Sequence, residues 1–303
     1  MSPEARHAHR WAAFGASARG SAHARGDVPN EDAVAWQSDD DGRWAVVAVA
    51  DGHGHSLAVR ADVGARLAAD IAVDAARSCW EGLSGEGDGS AGSATADRLQ
   101  AAVLDGWLAA VEADLASRPL SDAELERSGD RQAIATHPGL AYGTTLLLSL
   151  AVGGSIVSCQ VGDGDVVAIK RDGRTTRPLP PDNRLVGTRT TSLASRSARA
   201  DFRSSHVVVD DESIEAVVAA TDGYVNSFSA DDGFATAGQD LWKLLHEIGP
   251  AAVENALAGW LESTSSDGTG DDATLAILYD RAHLAHGAGV LSSADVVTER
   301  GGM

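Results

Sequence analysis

The chain has 303 residues, enough for one large or two small domains with a substantial core, and its 44% hydrophobic and 22% charged residues are ordinary for a soluble globule. A formal net charge of −20 excludes a basic face of the kind that neutralises a nucleic-acid backbone, so nucleic acid is not an expected partner. No apolar run approaches the roughly 18 residues of a membrane span, and none follows the opening MSPEARHAHR as a signal-peptide core would.

These absences predict a cytoplasmic protein with no membrane partner. The two cysteines, Cys79 and Cys159, sit in dissimilar contexts and suggest neither a disulfide framework nor a cysteine metal site.

In chain order, Trp11 to Ser17 reads as a first strand, Gly26 to Asn30 with Pro29 as a turn, and Ala33 to Gln37 as a second strand. A hairpin over Ser38 to Arg43 leads into the apolar run Trp44 to Ala50, which gives three strands before any helix. Val59, Val63, Leu67 and Ile71 then recur at helical spacing, as do Leu99, Val103, Trp107, Val111 and Leu115 before Pro119. Between these two amphipathic helices, residues 82–94 are Gly, Ser, Ala and acid and are expected to form a mobile loop. Ser121 to Glu124 has the pattern of a capping box and starts a third, shorter helix.

Leu146, Leu148, Leu150 and Val152 alternate along a strand that turns at Gly153-Gly154, and Val157, Cys159 and Val161 return on one face. After the strand Val166 to Lys170, residues 170–212 are polar and contain Pro178, Pro180 and Pro181, as in a flap-like excursion. Its arginines, Arg184, Arg189, Arg196 and Arg199, are candidates to meet an anionic substrate as well as ordinary solvated charges. Ile214 to Thr221 is a strand, two helices follow that break at Gly249-Pro250, and Ala273 to Tyr279 is the last strand. The reading is therefore a single domain over residues 1–280 with a tail over 281–303, and its fold class is α+β rather than regular βαβ alternation.

Four of these apolar strands carry carboxylates at an end: Glu31-Asp32, Asp51, Asp222 and Asp271-Asp272. If the strands share one sheet or two stacked sheets, the carboxylates crowd on one rim, where they repel unless cations neutralise them. Asp and Asp-Gly also end strands simply as turn residues, so any one position alone decides nothing. Gly52 and Gly54 beside Asp51 let the backbone turn sharply enough to offer a carbonyl oxygen there, with His53 between them as a proton donor or ligand.

Taken in order, GSAHARGDVPNEDA, VAVADGHG, YGTTLLLSL, CQVGDGD, VAATDG and GDDATLAIL resemble the signature segments of metal-dependent type 2C serine/threonine protein phosphatases, the PPM family, in a divergent bacterial branch. The likeness runs from about Phe14 to Tyr279. It implies two stacked antiparallel β-sheets flanked by helix pairs, an αββα sandwich, with two Mn²⁺ or Mg²⁺ ions at one rim and a weaker third. It also implies that Asp51 bridges the two ions, that Glu31 and the Gly52 carbonyl complete one, and that Asp222 and Asp271 complete the other.

By the same resemblance Asp32 holds a water, His53 is the general acid, and Asp163 helps to hold the third ion. Where the family has an arginine to grip the phosphate this chain has Asp27, which leaves Arg25 and His23 as candidates; the residues after Gly162-Asp163 also depart from the family, being Gly164 and Asp165. The implied activity is hydrolysis of a phosphoserine or phosphothreonine ester on a protein, the target of a Ser/Thr kinase, without a covalent phosphoenzyme. The alternatives are a catalytically silent phosphatase-fold module that binds a phosphoprotein or regulator, and a metal-dependent hydrolase of a small phosphate ester.

Overall fold

The computed structural model describes residues 9–84, 92–185, 190–228 and 232–287. Its strands are β1 (Trp11–Ala18), β2 (Asp32–Ser38), β3 (Trp44–Asp51), β4 (Leu146–Val152), β5 (Ser155–Val161), β6 (Asp165–Lys170), β7 (Thr175–Thr176), β8 (Arg203–Val208), β9 (Ile214–Ala220) and β10 (Ala273–Asp280). They form two antiparallel sheets, ordered β1-β10-β9-β6-β7 and β2-β3-β4-β5-β8. The fold is the expected αββα sandwich.

The central strands read as unbroken apolar runs because both of their faces are covered. In β3, Ala45, Val47 and Val49 face the opposite sheet, where they meet Trp11, Val217, Ala219, Ala276 and Leu278. Val46, Ala48 and Ala50 face outward into a layer shared with Ala65, Ala68, Ala72, Leu99, Val103 and Trp107 of the helices Ala61–Ser84 and Ser93–Ser117. On the other side, Val167, Val218, Leu275 and Ile277 pack against Leu241, Leu245, Val253, Leu257 and Leu261 of the helices Gly233–Glu247 and Pro250–Asp267. Strand alternation thus assigns each side chain to one of three apolar layers.

The Ser121 box is present, its hydroxyl accepting from the Glu124 N–H. Cys159 is fully buried in the helix-facing layer, and burial pushes its thiol up to about 12, far from a reactive thiolate.

The fold differs from the sequence reading at several points. A one-turn helix, Ser21–Gly26, stands between β1 and β2, so a helix does precede the third strand. Six residues give no periodicity to read, and this turn is held from a distance: Ala22 N–H donates to the Gly270 carbonyl at 2.8 Å and Gly20 N–H to Asp272 Oδ1 at 2.6 Å. The second difference lies within residues 170–212, which return to the sheets as β7 and β8. Both are edge strands, where polar side chains such as those of Arg203, Ser204 and Ser205 are tolerated and hide the strand signal.

Of the expected loop at 82–94, residues 85–91 lie outside the described residues, as do 288–303 of the tail; the tail's first residues form the helix Arg281–Gly287. Among the described residues no helix is long and apolar enough to cross a membrane.

Candidate metal and phosphoryl site

The ladder registers bring the acidic positions to one rim. Asp32 at the start of β2 pairs directly with Asp51 at the end of β3. Ala220, the last residue of β9, pairs with Leu275 near the start of β10 and with Asp165 at the start of β6, so the ends that carry Asp222, Asp271 and the Gly162-Asp163 turn lie together. Asp51, Asp163 and Asp222 each offer one carboxylate oxygen, all within 4.8 Å of one another. His23, Asp271 and Asp272 form a second such group.

Backbone and hydroxyl contacts fix this arrangement. Thr145 N–H and Thr144 Oγ1 both donate to the Asp51 carbonyl, at 2.8 and 2.9 Å, and the Asp51 N–H donates to Thr145 Oγ1 at 3.0 Å. Thr221 Oγ1 donates to Asp32 Oδ2 at 2.7 Å. Asp163 accepts from Thr190 Oγ1 at 2.8 Å. The threonines of YGTT and VAATDG, to which the sequence reading gave no role, are the splints of the site. Asp272, passed over in favour of Asp271, accepts the N–H groups of Gly20 and Glu31, each at 2.6 Å, and lies 2.9 Å from His23 Nδ1. It is a buried clamp, with both oxygens committed to a distant segment of the same chain.

The electrostatics are those of carboxylates crowded without compensation. Burial, and then the charges of Asp32 and Asp222, hold the Asp51 carboxyl well above its ordinary range. Asp32 is pushed up to about 8 by burial, against the Thr274 and Thr221 hydroxyls, and Glu31 to about 7 chiefly by burial. Asp163 and Asp271 are raised for the same reason. The donor set of Asp51, Asp163 and Asp222 is carboxylate oxygen throughout, which fits hard divalent cations that would relieve this repulsion on binding.

The remaining candidates fall around this basin. Glu31 accepts the Gly52 N–H on its backbone carbonyl at 3.0 Å, and it lines a cleft of about 500 Å³ with Gly54, His55, Ser56 and Arg127. His53 packs over Gly143 and stacks on His55 with ring centroids 5.4 Å apart; burial, and then His55, push its imidazole down to about 4, so the free ring is neutral. His23 is engaged by two carboxylates, with Nε2 3.6 Å from Asp271 Oδ1 in addition to its Asp272 contact. Arg25 is exposed and its guanidinium donates to Ser21 Oγ at 3.4 Å.

Arg184 is tied to Asp182 and Asp201, and Arg199 to Asp105, so both are committed to acids, while Arg189 lies outside the described residues. Arg127, which the sequence reading missed, is exposed at the cleft beside Glu31 and donates to the Val59 carbonyl at 3.3 Å; no carboxylate pairs with it among the described residues. Its place in the short helix Asp122–Arg127 carries no motif that could have revealed it.

Comparison with known proteins agrees with this fold. The sequence matches the family described as Protein phosphatase 2C over residues 19–262. Among solved structures, a bacterial serine phosphatase superposes with a TM-score of 0.58 at 14% identity, covering 89% of this chain and 97% of that one. PppA, a regulatory component of the T6SS in Pseudomonas aeruginosa, gives 0.54 at 17% identity over 90% and 99%. The serine/threonine phosphatase Stp1 from Staphylococcus aureus gives 0.53 at 14% identity over 91% and 99%. At these identities the structural likeness speaks for the fold. No curated protein matches the chain by sequence.

Proposed function

Since the chain belongs to the protein phosphatase 2C family, on a match spanning residues 19–262, we propose that it is a metal-dependent phosphoserine/phosphothreonine protein phosphatase. The observation that carries the reading is the convergence of Asp51, Asp163 and Asp222 oxygens within 4.8 Å at the ends of separate strands. A buried concentration of like charge is costly to keep for its own sake, and it suits two Mn²⁺ or Mg²⁺ ions with a weaker third. In this proposal Glu31, Asp51, the Gly52 carbonyl, Asp222 and Asp271 hold the pair, and Asp163 serves the third.

Bound divalent cations supply Lewis-acid charge at the phosphoryl oxygens and make water acidic enough to attack phosphorus at neutral pH. The protein groups do the rest. Asp32, fixed by Thr221, orients the attacking water and takes up its proton. As the water oxygen bonds to phosphorus, the bond to the serine or threonine oxygen breaks on the opposite side, and His53 hydrogen-bonds and protonates that oxygen. The neutral imidazole gains proton affinity when a phosphate dianion arrives beside it.

Arg127, which lines the cleft beside Glu31 and has no carboxylate partner among the described residues, supplies a cation at the cleft mouth for the phosphate or for acidic residues flanking it, in preference to Arg25, which does not line that cleft, and His23, which two carboxylates engage. The substrate is a phosphorylated protein, a target of a Ser/Thr kinase. The test is hydrolysis of p-nitrophenyl phosphate and of a phosphothreonine peptide with Mn²⁺, wild type against Asp51→Asn. Turnover that needs neither Mn²⁺ nor Asp51 refutes the proposal, and tight binding of the peptide without turnover favours the silent module.

A further inference from the structure

A second cluster of ligand-type side chains lies at the rim opposite the carboxylate basin. Strand β10 runs from Ala273, beside the basin, to Asp280, roughly 24 Å away at about 3.4 Å per residue. There His9, Asp280 and His283 each offer one ligand atom, all within 4.8 Å of one another. The His9 side chain is 5% exposed and that of Asp280 0%. His9 stacks on Trp11 with centroids 5.5 Å apart, which fixes the plane of its ring. His9 Nδ1 lies 2.7 Å from Asp280 Oδ2, and His283 Nε2 lies 3.7 Å from the same oxygen. Asp280 Oδ1 accepts the N–H groups of Arg10 and Ala282, each at 3.0 Å, so the carboxylate cannot swing away.

The other edge of the His9 ring sets the problem. Its Nε2 is buried without a hydrogen-bond partner and lies 3.6 Å from Asp210 Oδ1, a carboxylate held in turn by Arg171 at 3.1 Å. A neutral imidazole carries a single N–H. With the proton on Nδ1, the Nε2 lone pair faces Asp210. With it on Nε2, the Nδ1 lone pair faces Asp280 at 2.7 Å. Only an added positive charge satisfies both edges.

A second proton on the ring is one source of that charge; a bound cation is the other, and it would engage as well the second imidazole nitrogen, 3.7 Å from the same buried oxygen. A cation bound by Nδ1 of His9, Oδ2 of Asp280 and Nε2 of His283 accounts for all three, and it leaves the His9 proton on Nε2, directed at Asp210. That is the usual support for a metal-bound histidine, whose second nitrogen donates to a carboxylate. Two imidazoles and one carboxylate suit Zn²⁺ and not the hard ions of the oxygen-lined basin.

We propose that His9, Asp280 and His283 form a zinc-class site, with Asp210 orienting His9, which fastens the entry to β1 onto the helix that follows β10. It is independent of the phosphatase reading. The test uses the full chain stripped by chelator and then saturated with Mg²⁺ to fill the basin, titrated with Zn²⁺ and, as a visible probe, Co²⁺. The expected result is one tightly bound ion per chain, d–d bands of low-coordinate Co²⁺ and a raised unfolding midpoint.

His9→Gln and His283→Gln should each abolish the bands, while exposed Asp210→Asn weakens Zn²⁺ binding by about 10- to 100-fold. Mn²⁺-dependent turnover of Asp210→Asn reports that the chain remains folded. Absence of Co²⁺ bands in wild type overturns the proposal, as does unchanged affinity in Asp210→Asn together with either histidine variant. A His9 imidazolium seen by NMR in protein that ignores Zn²⁺ assigns the charge to a proton and overturns it as well.

Discussion

A methyl group on Gly223 would lie 2.0 Å from the carbonyl oxygen of Asp272, so the turn that presents Asp222 and the turn that presents Asp271 touch backbone to backbone. No side chain fits at that distance. The separation of the two acidic strand ends is therefore set by a glycine, and Gly223→Ala must force them apart. Because β9 and β10 stay paired from Ala220–Leu275 onward, the variant is expected to fold and to bind Mn²⁺ at least ~10-fold more weakly, read by calorimetric titration. Gly259→Ala, on a helix position with nothing within 4 Å, is the control and should stabilise slightly, by about 0.5–1 kcal/mol.

Asp51 and Asp32 oppose each other across a ladder with Asp222 close by, so in the metal-free protein burial and mutual repulsion make these carboxyls costly to ionise. Asp51→Asn removes one of them. In chelator the variant should unfold at a higher temperature than wild type; in Mn²⁺ the order should reverse, because wild type alone gains binding energy. Turnover should fall by about 10³-fold, the equivalent of losing about 4 kcal/mol of transition-state stabilisation. Two melting curves per protein, with and without Mn²⁺, check the crossing.

The carboxylates were legible in the sequence because each sits where an apolar run stops, and a strand end has a fixed place in a sheet. Cys159 and the alternating leucines of β4 were legible for the same periodic reason. What could not be read was whatever depends on contacts between distant segments. Asp272 looks like a spare ligand beside Asp271 until Gly20 and Glu31 are seen donating to it from more than 240 residues away. The helix Ser21–Gly26 exists because of that clamp, and β8 is an edge strand whose polar residues mimic a loop. Arg127 acquires its position from the packing of a short helix whose capping box announces the helix but not which of its residues reaches the cleft.

His53 lies over Gly143, where a methyl group would come within 2.8 Å of its Cδ2, so the glycine leaves the space that the ring occupies. If it delivers a proton to the departing oxygen, its loss matters most for a poor leaving group. His53→Gln should lower kcat for a phosphothreonine peptide by about 10²- to 10⁴-fold and that for p-nitrophenyl phosphate far less, since nitrophenolate leaves without a proton. Equal losses on both substrates would show that His53 only shapes the site.

Arg127 is an arginine without a carboxylate partner among the described residues, in a chain with 44 acidic and 24 basic residues, and it stands at the cleft that Glu31 lines. Removing it should weaken substrate binding without touching the chemistry. For Arg127→Ala the KM for a phosphothreonine peptide is expected to rise about 10-fold at low salt, with kcat within twofold of wild type, and the difference should shrink as salt screens the exposed charge. Arg25→Ala should leave KM unchanged. The opposite pattern would move the phosphate contact to the one-turn helix.

Arg60 is buried behind the site and holds its rear wall together. Its guanidinium donates to Glu124 at 2.7 and 3.2 Å, to Asp114 at 3.0 Å, to the Tyr142 hydroxyl at 2.6 Å and to the Arg118 and Pro119 carbonyls at 2.7 and 3.1 Å. The bonds from Arg60 draw the Glu124 carboxyl down from 4.5 to about 2, with Ser121 helping against burial. A carboxylate whose folded value is depressed adds stability that is complete above its unfolded value and is lost as pH falls through the folded one.

The Glu124 contribution should therefore be full above about pH 4.5 and gone near pH 2. Glu124→Gln keeps the shape and loses the charge, at a cost of about 2 kcal/mol at neutral pH for hydrogen bonds to a charged group. The gap between the melting temperatures of wild type and variant should stay constant from pH 7 to 5 and close on further acidification. A gap that persists unchanged at the lowest pH where both still fold would mean that packing, and not the Arg60 ion pair, accounts for it.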